Sequence, residues 1–139
     1  AITRLLDMGV ENFLLSSTVR GILAQRLLRN ICPKCKEIDT SGADQEESKA
    51  LGMTDDVPLY KGKGCEACSF TGFYGRTGIF ELLIIDDEIR KLILGNADAN
   101  QIRYAARKQG MRTLLEDGVM KIKAGVTTLS EVFRVTQEA

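Results

Sequence analysis

Four cysteines, arranged as two Cys-x-x-Cys pairs with 29 residues between them, constrain this 139-residue chain more than any other feature. The pairs are Cys32 with Cys35 and Cys65 with Cys68. In each pair a tight turn directs two sulfur atoms at one point, and two such pairs complete a tetrahedron. The chain contains no histidine, so a metal at these positions has only thiolate ligands. Four sulfurs in tetrahedral geometry favour zinc, with iron as the main competitor, in a closed structural site.

The same four residues have two other uses in proteins. Two disulfides are one, but the chain shows no secretory signal, and a cytosolic setting favours free thiols. Redox chemistry is the other, although one Cys-x-x-Cys pair suffices for it, so two pairs around an insertion fit metal better. Lysines beside both pairs would lower the thiol pKa values and offset the negative charge of a zinc tetrathiolate, but they equally suit an ordinary solvated surface. These lysines are Lys34, Lys36, Lys61 and Lys63.

Composition limits the functions that are open to the chain. Lys+Arg and Asp+Glu both number 19, so the formal charge of zero provides no long-range attraction to nucleic acid or to an anionic membrane. No apolar run approaches the length that spans a bilayer, and we expect a soluble protein. The lack of histidine excludes Ser-His and Cys-His nucleophilic schemes. No constellation of carboxylates or lysines indicates another catalytic site.

The first 31 residues predict two helices and one ambiguous segment. Residues 1–9 have the pattern of the end of an amphipathic helix closed by glycine, without an initiator methionine, which suggests a fragment of a larger protein. Residues 10–18 predict a short helix. Residues 19–31 fit either a helix or a strand buried on both faces. Three arginines in this segment fit either a solvated edge or recognition of phosphate or carboxylate. They are Arg20, Arg26 and Arg29.

The insertion between the cysteine pairs has little apolar material of its own. Asp44 predicts the N-cap of a short helix that ends at Gly52, and residues 57–60 predict a short strand. A metal ion that joins the two ends of such a loop would supply much of its order.

The region beyond the second cysteine pair predicts turns, a strand and then helices. Residues 72–81 carry three glycines at i, i+3 and i+6, which indicates unusual backbone angles or close approach, but they do not match a nucleotide-phosphate loop. Residues 79–85 predict a core strand. Four short helices follow, and glycines end the first three. The helix starts are marked by Asp86, Asp98, Thr113 and Thr128, the last two as capping boxes.

Several of these segments together resemble the secretion and pilus-assembly ATPases, that is, the general secretory pathway protein E and type IV pilus extension motor group. The resemblance begins with the helix tail, continues through residues 13–17 and 21–27 into the first cysteine pair, and covers essentially the whole chain. Its most specific parts are the paired Cys-x-x-Cys motifs together with Gly75-Arg76-x-Gly78-Ile79-Phe80-Glu81. Phe80, where relatives often carry tyrosine, is a mild departure.

The resemblance implies a cytoplasmic hexameric motor with a RecA-like ATPase domain. Such motors attach peripherally to the inner membrane through secretion or pilus platform proteins, and ATP hydrolysis with Mg²⁺ drives extrusion of pseudopilin or pilin filaments. The Walker A loop, the acidic Mg²⁺-binding segments and the histidine-containing box of the family lie upstream of this segment. Because phosphoryl transfer needs those parts, we expect the isolated chain not to hydrolyse ATP. Arg26 and Arg76 would approach a nucleotide or a neighbouring subunit in the intact motor.

The resemblance also implies a fold of the α/β class, as an α+β fragment, in which residues 19–29 form a core strand. Four parts are expected: the C-terminal end of a RecA-like domain (1–31), a tetracysteine zinc-binding insertion (32–71), a strand returning to the ATPase core (72–85) and a C-terminal helical subdomain (86–139).

Two further functions have their own sequence expectations. A stand-alone zinc-ribbon-like module that binds nucleic acid or protein is one alternative, but a nucleic-acid binder predicts a basic domain with stacking aromatics, and aromatic residues make up only 6% of this chain. A redox protein would form disulfides reversibly without metal.

Overall fold

The computed structural model describes residues 2–42, 45–54 and 57–137, which form helices and four strands. Strand β1 pairs with β4 in one two-stranded sheet, and β2 pairs with β3 in another. A short 3₁₀ helix spans Glu66–Cys68. In chain order the elements are α1 (Ile2–Asp7), α2 (Asn12–Thr18), β1 (Gly21–Ile31), β2 (Lys36–Ile38), α3 (Gln45–Ala50), β3 (Tyr60–Gly62), β4 (Phe73–Ile84), α4 (Asp87–Leu94), α5 (Ala99–Lys108), α6 (Leu114–Lys123) and α7 (Leu129–Thr136).

The chain divides into two compact units, and strands β1 and β4 contribute residues to both. The first unit comprises Ala1–Ala24 and Glu81–Thr113, and the second comprises Gln25–Phe80 and Leu114–Ala139. Helices α4 and α5 therefore pack in the first unit, whereas α6 and α7 pack in the second.

The first unit is a small helical core in which α4 and α5 begin at the predicted caps. The Asp86 carboxylate accepts the backbone N–H of Ile89 at 3.0 Å, which starts α4. Asp98 and Gln101 form a reciprocal capping box at the start of α5, with distances of 2.8 and 3.1 Å. Gly9 lies at φ +93° after α1, as expected for a glycine that closes a helix. The buried residues of this core include Leu15, Ile85, Ile89, Ile93 and Ile102.

The second unit packs helices α6 and α7 against the end of β1 and the start of β4. A Cβ atom on Gly118 of α6 would lie 2.6 Å from Val132 Cγ1 of α7, so the two helices approach closely only because residue 118 is glycine. Met53, from the insertion, is buried in the same core. The insertion is therefore anchored by this core as well as by its ends. The buried residues are Leu28, Met53, Ile79, Ile122, Leu129, Val132 and Val135.

Strand β1 confirms the strand alternative for residues 19–31, but the expected burial of a core strand is wrong. Leu28 and Ile31 are buried, whereas Leu23 is 60% exposed and Leu27 is 47% exposed. The physical reason is that side chains alternate between the two faces of a strand: Leu28 lies on the face that packs in a core, whereas Leu23 and Leu27 lie on the opposite face, which is exposed in the described part of the chain. The same holds for the predicted core strand 79–85, where Ile84 is more than half exposed.

The glycine segment and the insertion differ in detail from their predictions. Gly75 lies at φ +81° as an unusual backbone angle, but β4 continues through it instead of turning. The strand predicted at 57–60 is shifted to Tyr60–Gly62, because Tyr60 pairs with Ile38 of β2. The proposed cap Asp44 lies outside the described residues. No helix among the described residues has the length and apolarity to cross a membrane.

Candidate metal centre

The four cysteine sulfurs lie together at the spacing of a tetrahedral metal site. The Sγ atoms of Cys32 and Cys65, of Cys35 and Cys68, and of Cys65 and Cys68 are each 3.8 Å apart, and all four lie within 4.8 Å of one another. A regular tetrahedron with metal–sulfur bonds of about 2.3 Å has sulfur–sulfur edges of about 3.8 Å. A disulfide would need about 2.05 Å, and all four cysteines are free. The arrangement thus fits a metal ion and not two disulfides.

The short β2–β3 ribbon brings the two cysteine pairs together. Cys35 immediately precedes β2, and Lys36 of β2 lies opposite Gly62 of β3. The ladder continues one step beyond the ribbon, since the Lys63 N–H donates to the Cys35 carbonyl at 3.1 Å. The second pair follows directly, with Cys65 just before a single 3₁₀ turn and Cys68 as the last residue of that turn. The ribbon register therefore sets the distance between the pairs.

Backbone amides point at two of the sulfurs. The Gly64 N–H donates to Cys35 Sγ, and the N–H groups of Cys65 and Gly72 both donate to Cys68 Sγ, each at 3.3 Å. Such donors stabilise a thiolate and are the usual outer partners of metal-bound sulfur. They also fix where each sulfur atom points.

The thiols also act on one another's pKa values. Burial by itself raises the pKa of the Cys68 thiol, but the amides of Cys65 and Gly72 and the neighbouring thiols lower it to about 6. Burial and the hydrogen bonds that the Cys35 thiol shares with the other three thiols raise the pKa of Cys35 to about 11, although the hydrogen bond from the Gly64 amide lowers it. A cation needs all four groups as thiolates, so metal binding at this site releases protons.

Close packing of glycine backbones supports the cysteine turns, a feature that sequence reasoning missed. A Cβ on Gly62 would lie 2.1 Å from the Gly72 carbonyl oxygen, and a Cβ on Gly72 would lie 2.6 Å from the Gly62 oxygen. Gly72 also adopts φ +81°, which disfavours other residues. The available signal was the occurrence of glycines at both flanks of the second cysteine pair, but their mutual contact depends on the fold.

Of the four lysines that flank the cysteine pairs, two contact other side chains and two are exposed to solvent. Lys36 Nζ lies 4.4 Å from the centroid of the Tyr60 ring, and Lys61 Nζ lies 3.8 Å from Glu37 Oε1. Lys34 and Lys63 are both exposed, as expected if these lysines form an ordinary solvated surface.

Arg26 and Arg76 are exposed residues on the paired strands β1 and β4. Gly75, the neighbour of Arg76, lies against Asn30, which is four residues beyond Arg26 on β1. The suggested contacts of Arg26 and Arg76 with nucleotide or another subunit stay predictions.

Arg29 recognises a carboxylate inside the protein. The Glu131 side chain is 2% exposed and accepts hydrogen bonds from the Arg29 backbone N–H (3.0 Å), Nε (3.1 Å) and Nη2 (3.0 Å), and also from Arg134. Burial would raise the pKa of Glu131, but the two guanidinium groups lower it to about 2. The predicted capping box is therefore only half correct, because the Thr128 hydroxyl accepts the Glu131 N–H while the Glu131 carboxylate is directed to the arginines.

Comparison with protein-family models matches residues 1–134 to the family described as "Type II/IV secretion system protein". Among curated proteins, the chain is 47% identical over 143 residues to "Type IV pilus assembly ATPase PilB" of Thermus thermophilus, covering 99% of this chain and 16% of that protein. It is 46% identical to "Type II secretion system protein E" of Pseudomonas aeruginosa, with 99% of this chain and 27% of that protein covered. It is 43% identical to "Type II secretion system ATPase E" of Vibrio cholerae, with 100% and 27% covered. The chain thus spans 16–27% of the length of these relatives.

Proposed function

The chain belongs to the Type II/IV secretion system protein family, and on this premise we propose that it is the zinc-binding, non-catalytic C-terminal segment of a motor ATPase. The motor would drive assembly of a type II secretion pseudopilus or a type IV pilus, as the names of its relatives suggest. The observation that carries this proposal is the set of four sulfurs at tetrahedral spacing within a segment that matches the family along nearly its full length.

Zinc is the metal that best suits this set of ligands. Four thiolates and no other ligand type leave zinc and iron as the candidates, and zinc adds no redox chemistry to a site of structural character. When bound by Cys32, Cys35, Cys65 and Cys68, the ion would hold the two turns together and serve no substrate, since all four positions are filled by protein. The amides of Gly64, Cys65 and Gly72 orient the sulfur atoms for this role.

The other properties of the intact motor extend this proposal. We infer a hexamer of RecA-like ATPase domains in the cytoplasm, peripheral to the inner membrane through secretion or pilus platform proteins, with ATP and Mg²⁺ bound by parts of the protein outside this segment. Its partners would be the other motor subunits and the platform proteins, with no nucleic acid. In this proposal residues 1–31 and 72–85 belong to the ATPase domain, residues 32–71 to the metal subdomain and residues 86–139 to the helical subdomain, and Arg26 and Arg76 face a nucleotide or a neighbouring subunit.

Metal analysis of the purified chain tests the zinc proposal directly. Native mass spectrometry should find one zinc ion per reduced chain, and Cys32→Ser should abolish it. A bare, reduced protein with an unchanged NMR fingerprint after chelation would disprove the proposal, and the visible absorption of an iron tetrathiolate would assign the site to iron.

Activity measurements separate the motor segment from the alternative functions. The isolated chain should show no ATPase activity above a boiled control. A salt-dependent shift on titration with single-stranded DNA would instead favour the nucleic-acid-binding module. Reversible loss of four thiols on oxidation, in protein that never bound metal, would favour a redox protein.

A further inference from the structure

We propose that Arg29 and Glu131 are positioning residues of the metal centre, and that through them helix α7 and the metal ion stabilise each other. This inference rests on the metal site proposed above, to which it adds residues that touch no ligand sulfur. Glu131 lies 66 positions beyond Cys65 in the sequence, so the spacing of the cysteines gives no hint of it.

The end of strand β1 is held by the C-terminal segment 126–131. Neighbouring residues of a strand direct their backbone groups to opposite edges. On the edge away from β4, the Arg29 N–H donates to Glu131, the Arg29 carbonyl accepts the Thr127 hydroxyl at 2.9 Å, and the Ile31 N–H donates to the Val126 carbonyl at 2.8 Å. These bonds hold β1 up to the residue immediately before the first metal ligand.

The Arg29 side chain strengthens the same attachment. Its guanidinium group donates twice to the buried Glu131 carboxylate and lies 4.3 Å from the centroid of the Phe73 ring. Phe73 is the first residue of β4, so one side chain joins α7, β1 and β4. The attachment fixes geometry strongly because the Glu131 carboxylate is buried and depends on these donors in place of water.

From this attachment the backbone continues directly into the first ligand, Cys32, and two hydrogen bonds then lead from the Cys32 backbone to one ligand sulfur, Cys68 Sγ. The Cys32 N–H donates to the Gly72 carbonyl at 2.9 Å, and the Gly72 N–H donates to Cys68 Sγ at 3.3 Å. Ligands Cys32 and Cys68 therefore stand at the end of a path that starts at Glu131, in the first turn of α7.

The consequence is reciprocal coupling. Docking of α7 holds Cys32 and Gly72 in the geometry that the ion needs and so raises the affinity for the metal by some factor. By thermodynamic linkage, the bound ion must then shift the docking equilibrium of α7 towards the docked state by the same factor. Loss of metal then loosens α7 as well as the cysteine turns.

Cobalt titration of variants tests the positioning role. Co²⁺ is the probe, because its tetrahedral thiolate complex absorbs visible light and so reports on the site itself. Glu131→Ala should weaken Co²⁺ binding by about tenfold, the lower end of the cost of removing a direct outer partner of a metal site, because Glu131 acts on the ligands through the β1 backbone. Glu131→Gln should weaken it less, since its amide oxygen still accepts the Arg29 N–H.

Val135→Ala is the matched control, because Val135 also belongs to α7 and the buried core but lies one turn beyond Glu131. It should lower the urea midpoint while leaving the Co²⁺ dissociation constant within about twofold. The proposal is overturned if the Co²⁺ dissociation constant of Glu131→Ala also stays within twofold of the unmodified chain. It is overturned as well if the loss of Co²⁺ affinity in every variant, Val135→Ala included, simply follows the loss in urea midpoint, because the effect would then be one of general stability.

Hydrogen exchange on the unmodified chain supplies a second test that needs no variant. Chelation should remove protection from Leu129–Thr136 while helices α4 and α5 keep theirs, and unchanged protection in α7 would refute the coupling. A chain that binds neither Co²⁺ nor Zn²⁺ would disprove the zinc proposal and this inference together. Normal binding with insensitive Glu131 variants would refute this inference alone.

Discussion

Substitution of Gly62 by alanine should weaken metal binding without changing a cysteine. The added Cβ would lie 2.1 Å from the Gly72 carbonyl oxygen and 2.6 Å from the Gly72 Cα. Both are backbone atoms, so no side-chain rotation can relieve the clash. To reach an ordinary contact of 3.4 Å, the Gly72 oxygen must retreat by about 1.3 Å. A metal site tolerates deviations of only about 0.2 Å in its ligand distances.

The displacement acts directly on the ligands. Gly72 donates to Cys68 Sγ and accepts from the Cys32 N–H, so a shift of its backbone moves both cysteine turns. We expect Gly62→Ala to weaken Zn²⁺ binding by at least tenfold, and to destabilise the second unit by about 1–3 kcal/mol through overpacking. Competition with a coloured zinc chelator gives the affinity, and urea unfolding with excess zinc gives the stability.

Gly42→Ala is the appropriate control within the same insertion. Gly42 has φ +72° and no atom within 4 Å of its added Cβ, so alanine there costs about 1 kcal/mol of backbone strain and causes no clash. Its zinc affinity should stay within about twofold of the unmodified chain. Equal losses of affinity in both variants would refute the steric argument, and so would normal affinity in Gly62→Ala.

Three further predictions concern the two units. Cys32→Ser should abolish metal binding and remove hydrogen-exchange protection from β2, β3 and α7 while α4 and α5 persist; a uniform loss along the chain would contradict the division into units. The pKa of Glu131 is lowered from 4.5 to about 2, so its ion pairs stabilise the fold above pH 4.5 and lose that stabilisation, about 3 kcal/mol, as the pH falls towards 2. Glu131→Gln should lack this component in urea titrations with saturating Zn²⁺, which keeps α7 docked, and the difference between its pH profile and that of the unmodified chain isolates the component. Identical pH profiles for the two chains would count against it. Gly118→Ala should lower the stability of the second unit by about 1–3 kcal/mol, because the new Cβ meets Val132 Cγ1 at 2.6 Å, and an unchanged urea midpoint would show that α6 and α7 can separate freely.

Features that depend on neighbours within one helical turn or one tight turn were predictable. Asp86 and Asp98 cap helices because a carboxylate can reach the N–H three residues ahead, whatever the rest of the chain does. The pairing of Cys32 with Cys35 around a turn is local in the same sense. The resemblance to secretion ATPases, which the family comparison confirms, rests on such local motifs and on their order.

Features that depend on pairs of distant residues were not predictable from periodicity. Residues 19–31 fitted two structures because their apolar spacing suits both, and only pairing with β4 makes them a strand. Glu131 matched a capping box, in which its carboxylate would accept the backbone N–H of Thr128. The tertiary structure instead places Arg29 beside it, and a charged guanidinium group is a stronger hydrogen-bond donor to a buried carboxylate than a backbone amide is.

By itself the sequence determined the ligand type of the candidate metal centre, the starts of α4, α5 and α7, and the family, since these depend on residue identity and short spacing. Only the tertiary structure decided that α6 and α7 share a core with Met53 of the insertion, and that Gly62 and Gly72 touch. The physical reason is that van der Waals contact and burial of charge are properties of atoms brought together in space, and the order of residues along the chain does not specify which distant atoms will meet.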